Sequence, residues 1–367
     1  MTIPPGDFDL EKAISKAVNL TNNLGSVNTD FLYMTLATAL LELELELRYD
    51  LTPLVSLELA QERLTNMGYL SSNYWQLLCH TQFLPEIRKL LAGHDLTSLA
   101  SDSLSIAYQQ LSSYNQHSGT YFTPQTVGYL IYKMIMDLSI NSKWTQASWS
   151  VLDPSCGSGS LLRPFTLNPN TNLHGIELID SLVSSTRARL LMAVDSSRVK
   201  IGWGDGLTEK MHDGTIFDSK YQVIVCNPPF GVPISEERQR GFDLKSKKSE
   251  VLFVQRCVQL LDPDGFLVLI LPNSYASERK SSLRTWLLVE GFSTVVELQL
   301  PNTTFAPYTK LVTSLLILQR SQLERPTFNY NVISIGRSNK GLAAGAGQLD
   351  EVYSGFQTNL GFRPLPD

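Results

Sequence analysis

In the run VIVCNPPFG, Val223 to Gly231, four apolar residues that read as a buried strand meet Asn227, Pro228, Pro229 and Phe230. Proline fixes φ and lacks a backbone donor, so this corner suits neither a strand nor a helix. It can do chemistry. The carboxamide oxygen of Asn227 and the backbone carbonyl of Pro228 both accept hydrogen bonds, and the prolines stiffen the turn that holds them. A pair of acceptors at that spacing suits an exocyclic NH2 group. The lone pair of such an amine is normally delocalised into the ring. Engaging both of its protons favours a pyramidal nitrogen with the lone pair directed at an electrophile, a positioning and electrostatic effect. Phe230 would stack on the base, as expected where a base must leave a duplex to be modified. The plain alternative is a rigid structural turn after a core strand.

A second group of residues suits a ligand with an adenosyl group. VLDPSCGSGSLL, Val151 to Leu162, reads as a strand, a tight Gly-rich turn and the start of a helix. Gly157 and Gly159 remove side chains where a ligand approaches the backbone, and a following helix would aim free N–H groups at it. The Asp153-Pro154 start and the missing third glycine set it apart from dinucleotide and P-loop fingerprints. Glu177 ends the next strand, roughly 20 residues beyond Asp153, where an acidic side chain can bind both ribose hydroxyls. The strand after that ends in GDGL and places Asp205 near the adenine of the same ligand. Taken singly, each of these acids could be a helix cap or a solvated turn residue, and the Gly-rich turn could hold no ligand. Consecutive strand ends of the expected types favour one shared ligand.

The elements needed to hold these residues are legible from Trp149 onward. The apolar runs WSVLD, LHGIEL, RVKIGWGD, YQVIVCN, GFLVLILP, FSTVVELQL and VTSLLILQ have helix-like segments between several of them, such as Asp180 to Asp195 and Glu250 to Leu261. Strands alternating with helices predict an α/β fold with a doubly wound, mostly parallel sheet. Ligands in such sheets sit beyond the carboxyl ends of the strands, where the unusual residues follow each run. From Asp7 to Leu111 the chain is rich in Leu, Ala, Glu and Gln and predicts several helices. LELELELR, Leu41 to Arg48, alternates with the period of a strand, but its composition favours helix. Leu96 to Thr120 reads as a last helix and a polar linker. The expected organisation is a helical domain over 1–115, a catalytic domain over 116–320 and an irregular, Gly-rich tail over 321–367.

Bulk properties narrow the function classes. The 367 residues, 43% of them hydrophobic, can bury a core for two or so domains. The start shows no basic-then-apolar leader, and no stretch approaches the roughly 18 apolar residues of a membrane span, so a cytoplasmic protein with no membrane partner is expected. Cys79, Cys156, Cys226 and Cys257 lack metal-site spacing, so free thiols and no metal are expected. A net charge of −5 argues against a broad nucleic-acid grip and leaves room for a local basic patch. Ile234 to Glu250 offers one: Arg238, Arg240, Lys245, Lys247 and Lys248 could contact phosphates. Glu236, Glu237, Asp243 and Glu250 offset much of that charge, and a solvated loop is the equal alternative. No histidine stands beside a Ser or Cys in a nucleophile motif, and direct transfer needs no covalent intermediate.

In order along the chain, GTYFTPQTVGYLI (Gly119 to Ile131), DPSCGSG, GIEL, GDGL, NPPFG, LDPDGFLVLILPNSYAS and LPNTTFAPYTKLVTSLLIL resemble the N6-adenine DNA methyltransferases, above all the modification subunits of type I restriction systems. The likeness covers roughly Ser105 to Gln319. It implies a Rossmann-like, seven-stranded S-adenosylmethionine-dependent methyltransferase sheet behind an N-terminal helical domain. It further implies that Tyr121, Phe122, Thr123 and Pro124 border the methionine part of S-adenosylmethionine. Asp153, Gly157, Ser158 and Gly159 would line its pocket, Glu177 would bind the ribose and Asp205 the adenine. Asn227, Pro228, Pro229 and Phe230 would hold the target adenine.

Two positions depart from the family pattern, Cys156 where a small residue is usual and Cys226 before the catalytic Asn; both side chains are compact. Too little sequence follows Gln319 for a target-recognition domain. The resemblance implies double-stranded DNA as the substrate and, with sequence choice then made elsewhere, a separate specificity subunit as the partner and a restriction subunit as a further candidate. The same corner would also serve a protein glutamine or an RNA base, and a non-catalytic methyltransferase-fold scaffold is the remaining alternative.

Overall fold

The computed structural model describes residues 123–360 apart from 141, 192, 210, 218, 278–281, 307–308, 321–326 and 337–346, and only scattered positions before residue 123. The helical domain expected over 1–115, the LELELELR segment and the linker lie outside the described residues. So do Tyr121 and Phe122.

Each apolar run forms a strand: β1 (Trp149–Asp153), β2 (Thr171–Glu177), β3 (Val199–Trp203), β4 (Tyr221–Cys226), β5 (Leu261–Pro272), β6 (Phe292–Leu300) and β7 (Thr313–Arg320). An eighth strand, β8 (Phe328–Asn331), completes one sheet of order β3-β2-β1-β4-β5-β7-β6-β8. Pairing is parallel from β3 through β5, while β7 runs antiparallel to both β5 and β6. The helices are α1 (Gln125–Leu138), α2 (Asp180–Leu191), α3 (Ser249–Leu260), α4 (Asn273–Ser277), α5 (Ser282–Val289) and α6 (Leu349–Asn359).

The central strands carry runs such as Val223–Cys226 and Phe266–Leu271 that are apolar at every position, because both faces of the sheet are covered there. Val151, Val223, Val225, Phe266, Val268 and Ile270 point into one core with α1, α2 and α6. Their neighbours Leu152, Ile224, Cys226, Leu267, Leu269 and Leu271 point into the other, with α3 and α5. In α1, Val127, Leu130, Ile131, Met134 and Ile135 are buried, the spacing of one helix face.

The stretch expected to be an irregular tail is corrected by the structure. It supplies β8, paired parallel with β6, and α6, packed on α1. Leu349, Val352 and Phe356 recur at helical spacing and are buried with Phe328, Val332 and Ile335. The Gly-rich segment before them dilutes that pattern in sequence. The seven-stranded expectation falls short by β8, a run of four residues in which only Phe328 is buried.

Strand order decides where a ligand can sit. From the adjacent β1 and β4 the chain runs outward to β2 and β3 on one side and to β5 on the other. Such a switch point leaves a crevice outside the carboxyl ends of the strands. Asp153 ends β1, and Asn227 follows β4.

Candidate active site

A cleft of about 230 Å³ lies at this switch point. Thr123, Asp153, Gly157, Ser158, Glu177, Asp205, Asn227, Pro228 and Pro229 all line it. Sequence positions more than a hundred residues apart therefore meet on one surface. Pro124, Gly159 and Phe230 do not line the cleft. Pro124 opens α1, where its carbonyl accepts the Val127 amide. Phe230 packs edge-on against Phe305, ring centroids 6.3 Å apart.

The Gly-rich loop is held from several sides. The Ser155 amide donates to Asp153 Oδ1 at 3.0 Å, closing a side-chain turn. The Gly157 amide donates to Glu177 Oε2 at 2.9 Å, and the Ile179 amide to Oε1 at 2.8 Å. Glu177 thus ties the loop to the end of its own strand while lining the cleft. Gly157 and Gly159 have φ of 52° and 76°, a region in which a side chain is strained. A Cβ on Gly159 would also stand 2.8 Å from the Thr186 methyl, so this glycine is needed for packing. The expected α-helix after the loop is absent; turns lead into a short 3-10 helix, Arg163–Leu167. Residues preceding proline avoid helical φ/ψ, and Arg163-Pro164 and Asn168-Pro169 bracket the segment.

Burial sets the electrostatics. Asp153 is 2% exposed, and burial pushes its carboxyl up to about 8, with Glu177 adding to the rise and the Ser155 amide opposing it. Burial likewise raises Glu177, against the amides of Ile179 and Gly157. The Cys156 and Cys226 thiols are pushed well above their ordinary value by burial. Cys156 fits because Gly175 leaves room: a Cβ there would be 2.9 Å from the Cys156 sulfur.

Asn227 is oriented across the cleft. Its Nδ2 donates to Thr123 Oγ1 at 3.0 Å, and its backbone carbonyl accepts the Ser155 hydroxyl at 3.3 Å. The side-chain oxygen Oδ1 is buried and has no hydrogen-bond partner. An unpaired buried acceptor is costly, and such a group in a cleft points to a donor on a ligand.

Several contributors were not singled out in sequence. Gly206 is required because a Cβ would fall 1.9 Å from the Pro154 carbonyl oxygen; the GDGL run was its only signal. Arg189, 2% exposed on α2, donates to the Ser158 carbonyl at 2.6 Å and to Gln125 Oε1 at 2.5 Å, joining the loop to α1. Nothing in sequence separates it from a surface arginine. Arg238, read as a phosphate contact, lines the cleft and forms an ion pair with Asp205. Lys245 donates to the carbonyls of Gln239 and Phe242, whereas Arg240 and Lys247 are exposed.

A family model described as N-6 DNA Methylase matches residues 100–344, well over half of the chain and all of the described cleft. The chain belongs to the N-6 DNA methylase family. Among curated proteins it is 22% identical over 229 residues to a type I restriction enzyme EcoEI methylase subunit from Escherichia coli. That match covers 58% of this chain and 45% of the relative, so the chain spans about half of the curated protein it resembles. A type I restriction-modification methyltransferase subunit from Streptococcus thermophilus superposes with a TM-score of 0.64 at 16% identity, covering 95% of this chain and 93% of the other. A putative class I S-adenosylmethionine-dependent methyltransferase from Listeria monocytogenes superposes with a TM-score of 0.56 at 16% identity, covering 90% and 100%. These likenesses show the fold of this N-6 DNA methylase family member, a Rossmann-like methyltransferase sheet. Among the described residues no helix is long and apolar enough to cross a membrane, and no group of three or more His, Cys, Asp or Glu could hold a metal.

Proposed function

We propose that this chain transfers a methyl group from S-adenosylmethionine to the N6 amine of an adenine turned out of duplex DNA, with sequence choice made by a separate specificity subunit. The observation that carries the reading is the buried, unpaired Oδ1 of Asn227, oriented by Thr123. An exocyclic amine supplies the donor that this oxygen lacks.

The cleft suits the cofactor by the chemistry of its lining. Asp153, Glu177 and Asp205 bring carboxylates from successive strand ends, matched to a ligand with positive charge, ribose hydroxyls and an adenine amine. Leu178 and Phe253 add apolar surface for a flat base, and a Cβ on Gly157 would meet no atom within 4 Å, so the backbone there is open to a ligand. When bound, S-adenosylmethionine supplies an electrophilic methyl on a sulfonium sulfur. Asp153 would bind its ammonium, Glu177 its ribose and Asp205 its adenine in exchange for Arg238. Asn227 Oδ1 and the Pro228 carbonyl would accept the two protons of the target amine and direct its lone pair toward the methyl. Phe230, fixed by Phe305 beside the corner, would face the extruded base.

The test is single-molecule sequencing of native host DNA from cells carrying the intact gene and cells carrying Asn227→Ala. N6-methyladenine is expected to vanish from one defined motif in the variant while cofactor binding by the purified protein persists; a motif split in two supports the specificity subunit. Equal methylation in both strains would refute the mechanism. If no adenine mark depends on the intact gene, the DNA assignment fails, and protein glutamine and RNA become the substrates to examine.

A further inference from the structure

Beside the residues assigned above to cofactor and target, the structure holds a carboxylate, that of Glu250, against the Asn-Pro-Pro-Phe corner. We infer that Glu250 is a positioning residue: it locks the exit of the corner by bonding the Gly231 amide and anchors that bond to Tyr275 in α4, just beyond the end of β5. The inference rests on the reading of Asn227 as the group that holds the reacting amine.

Glu250 is 2% exposed in the first turn of α3, and both of its oxygens are engaged. Oε2 accepts the Gly231 amide at 2.9 Å. Oε1 accepts the Tyr275 hydroxyl at 3.1 Å. The adjacent Ser249 hydroxyl, buried as well, donates to the Pro229 carbonyl at 2.6 Å. The two prolines cannot donate to any ladder, so the corner has few backbone groups by which it can be held. Of those it has, the Asn227 carbonyl takes the Ser155 hydroxyl, and the Pro229 carbonyl and the Gly231 amide both go to the start of α3.

Gly231 makes the arrangement specific. Its φ is 68° and a Cβ there would meet nothing within 4 Å, so glycine is needed for the backbone conformation and not for space. In that conformation its N–H faces Glu250. Tyr275 stands in α4, directly beyond Pro272 at the end of β5, and β5 pairs with β4 with Cys226 opposite Leu269. The corner is thereby held at both ends by one sheet. It enters from β4, and its exit is tied through Glu250 and Tyr275 to the neighbouring strand. Backbone bonds from Val232 and Ile234 to the chain around the start of α3 hold the segment just beyond the corner, and Glu250 adds the bond at Gly231 itself; without that bond the Asn227 oxygen and the Pro228 carbonyl can shift relative to each other. A misplacement on the order of 1 Å costs about a hundredfold in rate.

Glutamine at 250 preserves the geometry. Its oxygen can accept the Gly231 amide and its NH2 can donate to the Tyr275 oxygen, whereas alanine loses both bonds. The experiment uses protein purified from its host with its accompanying partners, in wild-type, Glu250→Ala, Glu250→Gln and Tyr275→Phe forms. Hydrogen exchange of the 223–232 peptide and initial rates of methyl transfer from labelled S-adenosylmethionine to unmethylated host DNA are measured on each. Glu250→Ala is expected to speed exchange at Phe230 and Gly231 about tenfold or more and to lower kcat by about tenfold to a hundredfold, with KM for the cofactor unchanged. Glu250→Gln restores both readouts to within about threefold of wild type, and Tyr275→Phe falls between.

The inference is overturned if Glu250→Ala leaves exchange of the corner as slow as in wild type, or if the loss appears in KM and not in kcat. Failure of the glutamine variant to restore the rate while the corner stays protected overturns it too, since charge and not geometry would then be at work. If the wild-type protein methylates no DNA adenine, the substrate reading fails by itself, and the exchange measurement still judges the lock.

Discussion

Thr123→Val isolates the hydrogen bond on which the orientation of Asn227 depends. Thr123 is 5% exposed, and its hydroxyl accepts the Asn227 Nδ2 proton at 3.0 Å across 104 positions of sequence. Valine keeps the shape and removes the acceptor. A bond of this kind contributes about 0.5–1.5 kcal/mol net, and stranding a partner in a buried site costs about 1–3 kcal/mol. The carboxamide then has no reason to keep its oxygen toward the cleft, because either end is equally unpaired. Converting about 1–3 kcal/mol at about 1.4 kcal/mol per decade gives a fall in kcat of roughly fivefold to 150-fold. The assay is the initial rate of methyl transfer at saturating cofactor and DNA, with cofactor affinity measured separately by calorimetry. Thr123→Ser, which returns the hydroxyl, should recover most of the rate. A valine variant with full kcat, or one whose whole defect is weaker cofactor binding, would refute the orienting role and return Thr123 to a cofactor contact.

Asp153 carries a pH prediction. Its folded value of about 8 lies above its ordinary 3.8, so the unfolded chain ionises first as pH rises. The unfolded state then binds fewer protons than the native one, and this group makes the empty protein progressively less stable from about pH 4 to about pH 8. Thermal melts across that range should show a shallower decline in Asp153→Asn, while calorimetry should show cofactor binding to the wild type releasing a proton below pH 8; parallel melting curves for the two proteins would refute the assignment. Phe356→Ala tests the final helix. The ring is fully buried, 5.7 Å from Phe328, in the helix that covers α1, so truncation should cost about 3–5 kcal/mol in denaturant unfolding. An unchanged midpoint would place α6 outside the cooperative unit.

The sequence by itself determined seven of the eight strands and the residue types that stand at their ends. Runs such as Val223 to Cys226 are apolar at every position, and a strand that buries both faces has no other composition available. Asp153, Glu177, Asp205 and Asn227 stand where such apolar runs stop, and polar residues of types depleted from buried strands mark that change in the sequence. The resemblance of the same blocks to the N6-adenine methyltransferases added expected roles, and of the residues given one, Thr123, Asp153, Gly157, Ser158, Glu177, Asp205, Asn227, Pro228 and Pro229 line the cleft. Helix α6 carries only three buried apolar residues, Leu349, Val352 and Phe356, behind a Gly-rich stretch, and β8 is four residues long with only Phe328 buried, so neither makes a strong local pattern.

Tertiary structure alone decided the partners of those residues. Arg238 on Asp205, Arg189 behind the Gly-rich loop, Thr123 on Asn227 and Glu250 on Gly231 are contacts between segments separated by 19 to 104 positions. Local pattern carries only what one strand or helix imposes on its own neighbours, a period of burial and a place to stop. Which arginine is buried, which hydroxyl turns a carboxamide and which carboxylate closes a corner follow from the order β3-β2-β1-β4-β5, because that order brings distant loops to one edge of one sheet.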